Sequence, residues 1–417
     1  MLKAGALYYA ILISLVISVI CTLMIGLAFM SRSYFIHSDK RERVLDNSKS
    51  GIEYMLSKSS SISDGDTEID LFGNDEDTVR MKRRNWGLFQ VLYASAKFKR
   101  ARFSRTAMLG YSTSFFDSLA IYLEDRNRPL LLSGTALLKG NLFLSPKGID
   151  RAYIEGQNYS RNELFYGKMK KSKMKLPKLE IDYLKYWGKY FEMNIGEMDS
   201  LKDISEISNF KGTHPFSKKT LIYHSENPIA LKDLNLKGNV MIYSEKEIVV
   251  SNSAILDQVI LIAPKIELTE SCKSSLHLIA SDSILIGENC KINYPSSLLL
   301  LKNEAGNSFA HISDKAQFKG NILVLEKQTN KRNNFISLEI AKEAHVLGQV
   351  YCQGNFELNG SLKGSVFTTN FLLATPSGIY ENHILNGEVD GTKLDLNYGG
   401  VLFSDFYGES KVIKWLE

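Results

Sequence analysis

With 417 residues, 44% of them apolar and 23% charged, the chain has material for two or three domains and too much apolar content for wholesale disorder. Its 51 basic and 46 acidic residues leave a formal net charge of +5, too mild to indicate a specific nucleic-acid partner. Four cysteines, Cys21, Cys272, Cys290 and Cys352, are too few for a disulfide framework, and none has the CxxC spacing of a zinc site.

The chain opens on a membrane candidate. Residues 4–31 carry no charge, a run longer than the roughly 20 residues that cross a bilayer and than the apolar part of a cleaved signal, about 7–15 residues. A retained single-pass anchor is the expectation. Ala6, Ala10, Ser14, Ser18, Thr22 and Gly26 recur at every fourth position. That spacing keeps small residues near one slowly drifting helical face and lets membrane helices approach closely, so the expected partners are other membrane helices or like subunits. The helix is expected to continue over 34–57, where Val44, Ser48, Ile52 and Met55 share one face with Leu45 and Leu56 beside it. Lys3 precedes the run, and Arg32, Lys40, Arg41 and Arg43 follow it, mixed with Asp39 and Glu42. The basic count alone leans toward a cytoplasmic C-terminal body.

Lys3-Ala4-Gly5-Ala6-Leu7, the long apolar run and Asn47-Ser48-Lys49-Ser50-Gly51-Ile52-Glu53-Tyr54 together resemble the N-terminal stalk of type IV pilin-like proteins, the larger minor pilins and pseudopilins in particular. The resemblance covers the first 60 or so residues and lacks the acid that the family carries near the start of its mature helix; residues 7–13 have none. It implies a helix packed against like helices in a filament, an inner-membrane anchor, and a body facing the periplasm or the cell exterior, opposite to the charge count. Residues 1–60 are accordingly expected to form the transmembrane helix and stalk.

Charge blocks follow. Residues 61–130 are expected to form a small β-rich region. It begins with Asp64, Asp66, Glu68, Asp70, Asp75, Glu76 and Asp77, a solvated loop that fails the calcium-loop pattern because Ile69 stands where glycine is required. Arg80, Lys82, Arg83 and Arg84 then precede Lys97, Lys99, Arg100, Arg102 and Arg105, the last five interleaved with Phe98, Ala101 and Phe103 as on a basic strand face. Such a face suits an anionic polymer or lipid head groups, or simply stays solvated. Over 131–220 a first β turn is expected, followed by an inserted Lys-rich linker (Lys168, Lys170, Lys171, Lys173, Lys175, Lys178) and a Tyr- and Trp-rich helix near 181–193.

The body carries a repeated phrase: Leu138-Lys139-Gly140-Asn141-Leu142, Leu236-Lys237-Gly238-Asn239-Val240 and Phe318-Lys319-Gly320-Asn321-Ile322, with variants at Gly348 and Gly364. Gly tolerates the positive φ of a corner, and the next apolar residue starts a strand. Segments around Val259 and Leu276 align at a step of 17, and Gly348 and Gly364 at a step of 16. Short strands at such steps predict a solenoid in which each level buries its apolar face on its neighbours. The expected fold is therefore mainly β: an N-terminal transmembrane and amphipathic α-helix, a β-rich region, and a right-handed parallel β-helix over 221–417. A Greek-key sandwich would use hairpin turns such as Asn-Gly, of which the sequence has only Asn359-Gly360 and Asn386-Gly387, and a left-handed hexapeptide helix fits only the stretch from Ile286 to Ile292. The texture of the repeats also resembles bactofilins, which polymerise into scaffolds.

Catalysis on such a body needs clustered acids. Asp257, Asp282 and Asp314 are isolated, and the seven histidines make no HExxH or similar ligand spacing. His277, His311 and His345 stand 34 apart; if that is two levels, they lie too far from one another to share a metal. Cys272 and Cys290, 18 apart, would stack on successive levels as either a disulfide or two buried thiols. The reading is a non-enzymatic envelope protein for assembly or adhesion, with no cofactor and no metal. A cytoplasmic bactofilin-like scaffold and a membrane-tethered polysaccharide-active enzyme are the alternatives.

Overall fold

The computed structural model describes residues 3–57, 65–70, 73, 76–112, 118–192, 201–209, 212–302, 307–326, 334–394, 398–404 and 408–416. Among these the chain is mainly β, with one long α-helix, α1 (Lys3–Ser57), and one short one, α2 (Tyr183–Glu192). It divides into two compact units. The first comprises Met1–Met55, Asp66–Lys82 and Tyr93–Arg105; the second comprises Leu56–Gly65, Arg83–Leu92 and Thr106–Glu417.

In the first unit α1 is one unbroken helix of 55 residues, about 80 Å long at ~1.5 Å per residue. Its two parts differ in environment. Apolar side chains from Leu7 to Ile36 are exposed, Leu23 by 62% and Phe29 by 74%. From Val44 onward, Val44, Asn47, Ser48, Gly51, Ile52 and Met55 are buried at spacings of three and four, the single amphipathic face that the sequence predicts. Gly51 sets how close that face lies to the strands: a Cβ there would stand 2.7 Å from Val79 Cγ1 and 3.2 Å from Ala94 Cβ. Val79, Met81, Ala94, Ala96 and Phe98 are buried in alternation along their strands. A buried carboxylate pins the helix: Asp77 accepts from Arg43 Nε at 2.9 Å, from Arg43 Nη2, and from Asn47 Nδ2 at 2.8 Å.

The second unit is built on a parallel sheet that closes on itself. Its long strands bend between rows. Ile255–Leu268, for example, pairs in turn with Asn235–Gly238, Val240–Ser244 and Glu247–Val250. Gly348 faces Gly364 and Val259 faces Leu276, the steps of 16 and 17 expected from sequence. Elsewhere the step varies: Leu278 faces Leu298, and Ile322 faces Val350. This parallel pairing excludes the sandwich. Asn359-Gly360 is a two-residue link between parallel strands, hence a corner and not a hairpin.

Spatial order in the sheet departs from chain order. From one edge the central row runs Leu201–Asp203, Leu221–Ser225, Val240–Ser244 and on through Ser361–Thr375. Val366 then pairs with Ile121, Leu142 stacks on Ile121, and Met169 ends the row against Leu142. The segments at 119–171 therefore cap the C-terminal end of the block. Within 161–220, the strands Met169–Lys171 and Leu201–Asp203 form the two opposite ends of the row.

The continuous apolar runs in this row are explained by burial on both faces. Val259, Leu261 and Ala263 point into one apolar core, while Ile260 and Ile262 point into a second. Trp86, Leu88 and Phe89, α2 with Tyr183 and Trp187, and Val401 with Phe403 complete that second core. Trp86 Nε1 donates to Gln258 O at 2.8 Å, Trp187 Nε1 to Gly87 O at 3.1 Å, and the Tyr183 hydroxyl to Leu88 O at 3.2 Å, so the buried polar tips are satisfied.

The repeated glycines serve a purpose beyond φ. A Cβ on Gly348 would collide with the Gly320 carbonyl oxygen, and one on Gly364 with the Gly348 carbonyl oxygen. Each of these glycines is thus overlaid by the backbone of the preceding strand. The polar residue after it is buried: Asn321 Nδ2 donates to Gly399 O at 3.0 Å, and Gln349 Oε1 accepts from Val401 N at 2.9 Å, which fastens the C-terminal segment to the sheet.

Candidate functional site

Among the described residues, the first part of α1 is a long apolar surface that the rest of the molecule leaves uncovered. Its most apolar 18-residue window has a mean hydropathy of 2.8 and none of it is buried. The helix is long and apolar enough to cross a membrane and is compatible with a single-pass anchor. Ala6, Ala10, Ser14, Ser18, Thr22 and Gly26 are all exposed. Ser14 Oγ donates to Ile11 O and Thr22 Oγ1 to Ser18 O, both at 2.8 Å, so these hydroxyls are bonded to the helix backbone. That makes them tolerable in hydrocarbon while keeping the surface shallow. Around Gly26 nothing lies within 4 Å of a built Cβ, in contrast to Gly51 on the packed part of the same helix.

The basic residues of the first unit separate into two sets. Lys97 and Arg102 are exposed between buried or half-buried neighbours, and Lys99 and Arg100 occupy the turn between the strands Phe89–Phe98 and Ala101–Ser112. Arg105 alternates onto the other face with Ala101 and Phe103, its guanidinium 5.8 Å from the Phe103 ring. Four of the five expected cations therefore gather at one hairpin tip, and the fifth does not. Of the acidic block, Asp64 and Asp75 lie outside the described residues, and Asp77 is the buried partner of Arg43 and not a loop ligand.

The second unit carries the three evenly spaced histidines and the cysteine pair. His277 is fully buried; its Nδ1 is 2.8 Å from Ser297 Oγ and its Nε2 is 3.3 Å from Gln258 Oε1. Burial first, and the Lys414 charge second, push its pKa down to about 3, so the ring is neutral. His311 lies in another row, its Nδ1 2.9 Å from Glu339 Oε2, a hydrogen bond that raises its pKa. His345 lies in the third row against Gln317 and Ser361. Their regular spacing in sequence is therefore not a stack, because the levels differ in length. Cys272 and Cys290 are adjacent, buried, free thiols. The Cys290 Sγ lies 3.0 Å from Thr269 O; its hydrogen bond with Cys272, and then burial, push the Cys290 thiol up.

A cavity of about 730 Å³ lies beside the second apolar core, lined by Leu176, Leu179, Lys302, Glu326, Tyr351 and Gln353 among others. Two ion pairs line it. Lys302 Nζ lies 3.2 Å from Glu326 Oε1, and Arg126 Nε lies 3.5 Å from Glu124 Oε1. Burial, opposed by Arg126, raises the Glu124 pKa. Sequence reasoning missed this cavity and the His277 network, since their residues come from separate levels and share no local motif.

No protein family matches the chain, and no curated protein matches it, so the bactofilin-like texture finds no support. Among solved structures, it is similar to the competence-associated pilin ComZ from Thermus thermophilus at 11% identity, over 91% of this chain and 98% of that one. The TM-score is 0.23, at which the likeness carries no argument about shared fold or activity.

Proposed function

We propose that this chain is a pilin-like structural protein of the cell envelope, anchored by α1 in the inner membrane and displaying its β body outside the cytoplasm for assembly or adhesion. One observation carries the reading: α1 is apolar and uncovered over its first part and packed against its own unit over its last part. A single continuous helix with that division is built to hold a folded body against a membrane or a bundle of like helices.

We read the closed parallel sheet as a right-handed β-helix. The three rows, the recurring corner glycines and the two-residue corner at Asn359-Gly360 support that winding. We take the role to be non-enzymatic: Glu124 and Glu326 of the cavity are engaged by Arg126 and Lys302, which supports display over chemistry. The anchor reading is tested by cross-linking in membranes. Ser18→Leu and Gly26→Leu are expected to reduce cross-linked species without lowering the amount of membrane-bound protein. Unchanged cross-linking in both variants contradicts helix packing through the small-residue face.

A further inference from the structure

We propose that the basic hairpin tip formed by Lys97, Lys99, Arg100 and Arg102 contacts anionic lipid head groups at the surface of the membrane that α1 crosses. The inference rests on the anchor reading above and adds the partner of a surface it leaves unassigned.

The argument is one of level. Along α1, Arg43 stands beside Phe98, its guanidinium 4.2 Å from the ring, and also binds Asp77. Gly51 stands beside Ala94 and Val79. From residue 43 to 51 the helix advances about 12 Å at ~1.5 Å per residue. From Phe98 back to Ala94 a strand covers about 13 Å at ~3.3 Å per residue. The equal advances mean that the strand runs alongside the helix, with residue 98 nearer the apolar part and residue 94 farther from it. The turn at Lys99 (φ 54°) and Arg100 therefore projects toward the apolar part of α1.

The uncharged run ends at Ser31, so Arg43 lies about 18 Å beyond it along the axis. One or two strand residues past Phe98 bring the turn back to within about 12–15 Å of that boundary. The polar head-group layer occupies roughly 5–8 Å of this distance on each side of the bilayer. The remaining gap of about 4–10 Å is comparable to the Debye length of ~8 Å at physiological salt, and flexible Lys and Arg stems narrow it further. Lys97, Lys99, Arg100 and Arg102 are all exposed there. Of the nearby acids, Asp77 is buried and bound by Arg43 and Asn47, while Asp39 and Glu42 on α1 are accompanied by Lys40 and Arg41. A point anchor at the tip would fix the tilt of the first unit, which a lone helix leaves free.

The test uses the full chain in vesicles of phosphatidylcholine alone or mixed with phosphatidylglycerol. A Ser104→Cys label beside Arg102, in a Cys21→Ala background, reports on a head-group-attached quencher; Cys272, Cys290 and Cys352 are buried and do not compete. Quenching is expected to be stronger with phosphatidylglycerol, to fall as salt rises, and to be lost in Lys99→Glu with Arg100→Glu. Each neutralised charge should weaken the contact about fivefold, from ~1 kcal/mol per basic residue near an anionic surface. Lys97→Gln with Arg102→Gln supplies a milder second variant with the same expected direction. Equal quenching in both lipids, or quenching unchanged by charge reversal, overturns the proposal. Flotation of the same samples separates the two readings: protein that floats without charge-dependent quenching contradicts only the head-group contact, and protein that fails to float contradicts the anchor as well.

Discussion

Two apolar stretches of this chain are nearly alike in composition and opposite in environment. Residues 5–36 of α1 and the runs at 259–263 and 298–301 of the sheet are each almost unbroken apolar sequence. In the sheet every such residue is covered, one face by the interior of the parallel rows and the other by Trp86, α2 and Phe403. On α1 the same kind of side chain meets nothing in the molecule. Exposed apolar area on this scale marks a missing environment, because each fully buried Leu or Ile is worth about 1.5–3 kcal/mol relative to exposure in water. The comparison therefore separates what the fold supplies for itself from what an apolar surrounding, the membrane on the proposed reading, would supply.

A charge placed in each stretch sharpens that contrast most. Leu261→Asp buries an unpaired carboxylate in the sheet interior and should unfold the second unit, a loss of more than about 4 kcal/mol read by denaturant melts. Leu23→Arg should leave the melt unchanged and instead reduce membrane association, read by carbonate extraction. Equal melting losses in the two variants would break the comparison. Next, Trp187→Ala strips the cover from the outer apolar face and should cost about 3–5 kcal/mol, with α2 losing protection in hydrogen exchange.

His277 gives the covered region a pH signature. Its folded pKa of about 3 lies below the ordinary value near 6.5, so the unfolded chain binds the proton first. Stability from this group is full above pH ~6.5 and is lost progressively as pH falls toward 3, by a few kcal/mol in total. His277→Gln should flatten the melting temperature over that window; an undiminished slope would mean that other groups set it. His311 has the opposite sign. Its raised pKa adds stability below about pH 6.5 that disappears as pH rises through the folded value, a small effect on a half-exposed pair. Smallest among the expected changes, Asn47→Ala removes one of the donors to buried Asp77 and should cost about 1–2 kcal/mol in the first unit.

What the sequence discloses follows the range of the interactions involved. The face of Val44, Ser48, Ile52 and Met55 is legible because helical burial is set by residues three and four apart. The steps of 16 and 17 are legible where neighbouring levels have nearly equal length. The pairing of Val366 with Ile121 is not, since nothing local announces a contact between such distant segments. The corner glycines are visible as a phrase, but their steric reason, a carbonyl of the adjoining level, appears only with the stack in place. At the candidate site, the small-residue ladder and four of the five basic residues were readable as surfaces. Arg105 was not separable from them until strand alternation placed it on the other face.

The account stands on α1 carrying the body out of the cytoplasm, and protease accessibility in intact spheroplasts, with lysed cells as control, tests that most directly. Digestion of the C-terminal body from outside is the predicted result. Protection until lysis would contradict it and place the body on the side that the basic residues after the apolar run favour, as a membrane-tethered cytoplasmic scaffold.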